Sequence, residues 1–117
     1  MATVIRTVLS GMTASAPIAT GTSSTTYHTV TTTTADYDEI WLWASNNNTA
    51  AEVVTLQWGG TTSTDDHIVT TVQPNETVLI APGWVLKGNA TELLVKAYST
   101  TNDKVNIIGH VNRIDDA

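Results

Sequence analysis

Apolar and polar positions alternate with period two along most of this chain. The clearest stretch runs from Tyr37 to Gly60. There Ile40, Leu42 and Ala44 alternate with Glu39, Trp41 and Trp43, and Val54, Leu56 and Trp58 alternate with Val53, Thr55 and Gln57. The spacing predicts two β-strands. Asn46-Asn47-Asn48-Thr49 between them predicts a turn, because asparagine tolerates left-handed backbone angles and bonds its own backbone, so the pair reads as a hairpin. Further strand-like runs are TVIRTVL (3–9), TTYHTVTTTT (25–34), HIVTTV (67–72), ETVLI (76–80), WVLK (84–87), the segment 93–98 and a last long one over 105–114. Polar or Gly/Pro punctuation separates them, notably TTSTDD, Pro74-Asn75, Pro82-Gly83 and Gly88-Asn89.

No segment of ten residues carries a 3.6 period. About eight strands at this spacing predict an all-β antiparallel β-sandwich. A jelly-roll-like arrangement is preferred to an immunoglobulin-like one, since paired cysteines around a core tryptophan are missing. Residues 10–24 are a run of Ser, Thr, Ala and Gly broken by Pro17, which cannot form a core by itself. Residues 1–25 are therefore expected to be an extended N-terminal arm or edge strand, and residues 26–117 the β-sandwich domain. The unpaired backbone of such an arm could add as a strand to a partner, which makes Val4, Ile5, Arg6 and Val8 candidate contact residues.

Composition sharpens this picture. The chain is 41% hydrophobic but only 14% charged, against about 25% for an average soluble protein, and threonine and serine fill the places of charges. Threonine is β-branched and favours strands. Net charge is −6, and the five basic residues, Arg6, Lys87, Lys96, Lys104 and Arg113, are scattered singly. Neither a nucleic-acid footprint nor attraction to an anionic membrane is expected from that balance. With no cysteine, a disulfide framework and a thiolate metal site are impossible. The opening MATVIRTVLSG lacks a signal peptide's apolar run, which leads to an expectation of synthesis in the cytosol.

Candidate chemistry is sparse. Asp65-Asp66-His67 is the densest polar cluster, but neighbours on an extended chain point to opposite sides and cannot easily share an ion. His28 and His110 have no ligand-spaced partners and read as ordinary strand histidines. There is no G-x-S-x-G elbow, no phosphate loop leading into a helix, and the acids gather in turns. The expectation is a protein that is not an enzyme and uses no cofactor or metal.

That leaves binding, and the four tryptophans. Trp58 and Trp84 are expected in core or edge packing. If Ile40, Leu42 and Ala44 face the core, Trp41 and Trp43 stand together on the outer face and must meet an arm, a neighbouring subunit or a ligand. Glu39 beside them could guide docking to a basic patch. A chain of this size should expose roughly 6,000 Å² alone, and a cyclic trimer would cover about a quarter of it. A homotrimer with Trp41 or Trp43 near the subunit contacts is the expected assembly.

The segments TVIRTVLSG, DEIWLWASNNNTAAEVVTLQWGG, APGWVLKG and NIIGHVNRI resemble a class of small tailed-bacteriophage virion proteins encoded among head genes, thought to be capsid decoration or cement proteins. The resemblance implies a protein made in the host cytoplasm that joins the virion on the capsid exterior. It would bind the major capsid protein, as a trimer at or near three-fold positions, and staple neighbouring capsomers. Two other readings stay open. One is a lectin-like carbohydrate-binding module with Trp41 and Trp43 stacked on successive sugar rings, and the other a tail or head-to-tail structural component.

Overall fold

The computed structural model describes residues 3–12 and 18–115. Among them are nine strands and no helix: β1 (Thr3–Val8), β2 (Ile18–Ala19), β3 (Thr25–Thr29), β4 (Tyr37–Asn46), β5 (Glu52–Trp58), β6 (His67–Val72), β7 (Thr77–Lys87), β8 (Leu94–Ser99) and β9 (Val105–Asp115). All pairings are antiparallel. They form two sheets. In the first, β9 lies between β4 and the successive edge segments β1 and β2, and β7 closes the other side of β4; the second has the order β3-β8-β5-β6. The all-β antiparallel sandwich predicted from the period-two pattern is the observed architecture.

The hairpin reading of Tyr37–Gly60 is not. β4 and β5 belong to different sheets, so the chain between them is an arch across the sandwich. Each strand already has two hydrogen-bonded neighbours, β9 and β7 for β4, and β8 and β6 for β5, which leaves no edge for them to share. The asparagines do build the turn, but as the corner of the arch. Asn46, fully buried, donates from Nδ2 to the carbonyls of Ala50 (3.0 Å) and Val72 (2.9 Å) and accepts the Asn48 N–H (2.8 Å). Asn48 in turn donates to the buried Glu52 carboxylate at 3.0 Å.

Two other predicted elements differ for one reason, β-bulges. Pro82-Gly83 does not end a strand; β7 runs through it, and its register against β4 shifts twice, between Ile40 and Trp41 and between Leu42 and Trp43. A proline is tolerated here because β7 is an edge strand. On β3 a shift between Thr26 and His28 breaks strict alternation, so Tyr27 and His28 are both buried instead of facing opposite sides.

The core lies between the sheets. Ile40, Leu42 and Ala44 of β4 and Val105, Ile107 and Val111 of β9 meet Val54, Leu56, Val95 and Ala97 of the second sheet. Leu9 and Met12 join this core, beyond the end of β1, and the Gly11 N–H donates to the Tyr27 carbonyl at 2.9 Å. The N-terminal segment thus has two parts: Thr3–Val8 is an edge strand, exposed at every position, and Leu9–Met12 is integral to the body. Trp58 and Trp84 meet edge to face, centroids 5.6 Å apart, where β5 and β7 approach each other.

Polar groups inside are satisfied. No buried side-chain nitrogen or oxygen among the described residues lacks a hydrogen bond. Asp38, fully buried on β4, accepts from Arg113 Nε (2.7 Å) and Nη2 (2.9 Å), from His28 Nε2 (2.8 Å) and from the Thr31 N–H (3.1 Å). The other His28 nitrogen accepts the Ser10 N–H at 3.1 Å, which leaves the proton on Nε2. His28 is therefore a core residue tied to a carboxylate ten positions away, and not the unpartnered strand histidine its sequence context suggests. Ser10, His28 and Asp38 do not form a nucleophilic triad: the serine presents its backbone N–H to the imidazole, and its hydroxyl accepts from Thr29 N–H at 2.6 Å.

Candidate ligand-binding face

The pleat of β4 decides what the outer face carries. With Asp38, Ile40, Leu42, Ala44 and Asn46 directed inward, Tyr37, Glu39, Trp41, Trp43 and Ser45 project from the opposite side of the sheet. Register adds their neighbours. Trp41 stands opposite His110 and Glu39 opposite Asn112 on β9, and Asn112 stands opposite Arg6 on β1. These six side chains, Arg6, Glu39, Trp41, Trp43, His110 and Asn112, line a shallow hollow of about 350 Å³.

The aromatic part is a compact triangle. Ring centroids are 6.3 Å apart for Trp41 and Trp43, 6.2 Å for Trp41 and His110, and 5.9 Å for Trp43 and His110, with interplanar angles of 21°, 13° and 32°. These separations lie within the range for offset aromatic packing. Trp41 is seated over a gap in β7: a Cβ on Gly83, whose φ is +73°, would lie 2.7 Å from Cζ2 of the indole. A bulged glycine there makes room for the ring.

The polar part is a hydrogen-bonded chain running across three strands. Arg6 Nε donates to Asn112 Oδ1 (3.1 Å), Asn112 Nδ2 donates to Glu39 Oε1 (3.0 Å), and Trp41 Nε1 donates to the same oxygen (2.8 Å). Donor and acceptor roles fix the amide orientation of Asn112. Hydrogen bonds from Asn112 and Trp41 hold the Glu39 carboxyl below its ordinary range, so it is ionised at neutral pH. Burial lowers the pKa of His110, with Arg6 acting in the same direction and Glu39 partly opposing it, so this imidazole is neutral at pH 7.

Of the residues singled out from sequence, Trp41, Trp43, Glu39 and Arg6 are brought together here. Val4 and Val8 share the outer side of β1 with Arg6, flanking the hollow, and Ile5 points to the other side. His110 and Asn112 are additions that sequence reasoning missed. Both lie on the outward positions of β9, but nothing in the sequence says that β9 is the strand beside β4. The Asp65-Asp66-His67 cluster is not a site. Asp66 accepts the Thr62 N–H at 3.0 Å, while His67 turns to Gln57 and Tyr98. No group of three His, Cys, Asp or Glu side chains that could hold a metal exists among the described residues. Compared with family models, curated proteins and solved structures, the chain matches none of them.

Proposed function

We propose that this chain is a bacteriophage virion protein that decorates the outside of the head, docking through its N-terminal edge strand. The observation that carries this reading is β1. Val4, Ile5 and Val8 are 63%, 51% and 40% exposed, and among the described residues β1 pairs on one side only, with β9. A monomeric sandwich normally blunts such an edge with charge, proline or a bulge, as β7 does with Pro82 and its register shifts. β1 carries one charge, Arg6, which is drawn over the sheet face to Asn112, and with no proline or register shift it keeps a regular edge suited to accept a further strand from the major capsid protein or from a neighbouring copy in a trimer. The resemblance of its segments to head-associated phage proteins gives that partner its identity.

The strand order is read as a jelly roll. What supports this is the path of the chain: after β2 every connection except β5–β6 crosses between sheets, and the first and last strands lie side by side. Jelly rolls serve in viral capsids and in lectins alike, so the fold accommodates this function without requiring it.

Co-expression with the major capsid protein of the same genome, followed by sedimentation of the assembled shells, tests the proposal. The full chain is expected in the pellet with the shells, and a variant lacking residues 1–8 in the supernatant. That deletion spares Leu9 and Met12, which a deletion through residue 20 would remove from the core. Equal sedimentation of both proteins, or of neither, would overturn the reading.

A further inference from the structure

We infer that the hollow over β1, β9 and β4 is a binding site for a neutral oligosaccharide. This goes beyond docking through the β1 edge, because it uses the face of the sheet and leaves the edge free.

A pyranose ring offers two kinds of surface. Its C–H bonds make apolar faces that pack on aromatic rings, and its adjacent hydroxyls each donate and accept, so a good partner for a hydroxyl pair supplies one acceptor and one donor. The hollow has both. Trp41, Trp43 and His110 pack on one another with centroids about 6 Å apart, and the outer faces and edges of that cluster provide the aromatic surface. Glu39 uses only Oε1 in bonds to described residues, so Oε2 is left to accept, and Arg6 uses only Nε, so both terminal nitrogens are left to donate. Neither His110 nitrogen is bonded to a described residue, and the neutral ring offers one donor and one acceptor.

Preorganisation strengthens the case. Asn112 ties Arg6 to Glu39, and Glu39 ties that chain to the Trp41 indole, so polar and aromatic parts are held in one arrangement before any ligand arrives. Charge selects the class of sugar. Arg6 and Glu39 offset each other within the hollow, and the chain as a whole carries −6, which disfavours sulfated or uronic polymers. The volume is at the small end of the usual range for small-molecule sites, about 300–1,000 Å³, which suits one or two sugar rings of a longer chain. Hydrolysis of the glycosidic bond is not part of the inference. The usual mechanism needs two carboxyl groups about 5–9.5 Å apart on either side of the bond, and among the described residues Glu39 is the single acid lining the hollow.

The test is titration of the full chain with cellotetraose, chitotetraose, maltotetraose and xylotetraose, followed by tryptophan emission and by calorimetry. At least one should bind with a dissociation constant below about 1 mM, the weak end of specific recognition. Trp43→Ala should weaken it at least about tenfold by removing a ring of the platform. Arg6→Ala, a change on an exposed edge strand with little bearing on folding, should weaken it severalfold and serves if Trp43→Ala does not fold. Trp84→Phe, whose ring packs on Trp58 and does not line the hollow, should keep both the heat and the emission change. Silence from all four sugars at about 10 mM, or unchanged affinity in Trp43→Ala or Arg6→Ala, would overturn the assignment. Shell binding is read separately by sedimentation, so either proposal can fail alone.

Discussion

Asp38 and Glu39 are consecutive residues of one strand, and the pleat sends them to opposite sides of the same sheet. Both are carboxylates held by hydrogen bonds to β9, yet they are used differently. Asp38 is fully buried and accepts four bonds, two of them from a forked Arg113. Burial alone would raise its pKa; the bonds from Arg113, His28 and Thr31 outweigh it and hold the carboxyl well below the usual carboxylate range. Glu39 is half-buried and takes two bonds on a single oxygen. The inner acid is saturated and belongs to the fold, whereas the outer one keeps acceptor capacity facing the hollow. Placed one residue apart, they separate a group that holds the sandwich together from one available to a ligand.

The largest expected effect comes from breaking the inner cluster. Asp38→Ala leaves the His28 and Thr31 N–H groups without an acceptor in the interior and takes the partner from the part-exposed Arg113 guanidinium; at about 1–3 kcal/mol for each buried donor left unsatisfied, the cost is about 3–5 kcal/mol. For a domain of this size the thermal midpoint should fall by about 12–20 °C, measurable by circular dichroism. A fall no greater than that of Glu39→Ala would break the comparison.

Acid should do by titration what that substitution does by deletion. Glu52, also fully buried, accepts from Asn48 Nδ2, Thr100 Oγ1 and both the N–H and the hydroxyl of Thr101. Burial pushes its pKa up, but these bonds outweigh it and the net shift is downward, as for Asp38. Both acids thus bind protons more weakly when folded than when unfolded. Their stabilisation is complete above the unfolded carboxylate range near pH 4 and is lost as pH falls through the folded values below it. The thermal midpoint should decline slightly between about pH 7 and pH 5, where His110 with its lowered pKa takes up a proton more readily unfolded than folded, and drop steeply below about pH 4. Asp38→Asn and Glu52→Gln should each flatten that drop, and an unchanged acid limb in both would refute the assignment.

On the outer side Gly83→Ala probes how Trp41 is seated. The substitution forces a Cβ against Cζ2 and Cε2 of the indole at 2.7 and 2.9 Å, at a backbone φ of +73° that side chains rarely adopt. We expect a cost of about 1–3 kcal/mol and a shift of Trp41 away from β7. Near-ultraviolet circular dichroism and indole N–H chemical shifts should report the displaced ring. An unaltered indole spectrum would mean that the bulge is not what positions it.

How much of this was legible in the sequence follows from the range of each interaction. Period two fixed which residues of β4 face in and which face out, because alternation is local: Ile40, Leu42 and Ala44 lie in the core, and Trp41 and Trp43 on the outside. Sheet membership is not local. Asn46 to Thr49 has turn chemistry whether the next strand returns alongside or crosses to another layer, and only the prior claims of β9 and β7 on both sides of β4 decide for the arch. The bulges at Tyr27 and Gly83 were hidden for a related reason, since a bulge is defined by the partner strand as much as by its own residues. Four of the six lining residues were therefore visible, Glu39, Trp41 and Trp43 as one face of a strand and Arg6 as a contact candidate of the arm. His110 and Asn112 came into view only with the register of β9, more than 60 residues away in sequence. The pairing of His28 with Asp38 depends on the same fact, because Asp38 turns inward only in a strand whose core face includes its two polar ends.

The smallest effect on stability, and the sharpest on the comparison, is expected from Glu39→Gln. The amide oxygen can still accept from Asn112 and Trp41, so the outer chain is retained and the thermal midpoint should move by less than about 2 °C, within the range of ordinary surface changes. What changes is the group facing the hollow: an ionised acceptor becomes a neutral donor. Glu39 raises the pKa of His110 against the larger influences of burial and Arg6, so its neutralisation should lower that pKa further, visible in the pH dependence of the imidazole proton shifts. Affinity for any sugar that binds should drop as well, because a hydroxyl then loses its charged acceptor while every ring of the platform stays in place. A large loss of stability with no change in the His110 titration would instead put Glu39 in the same class as Asp38, a carboxylate whose work is finished once the sheet has formed.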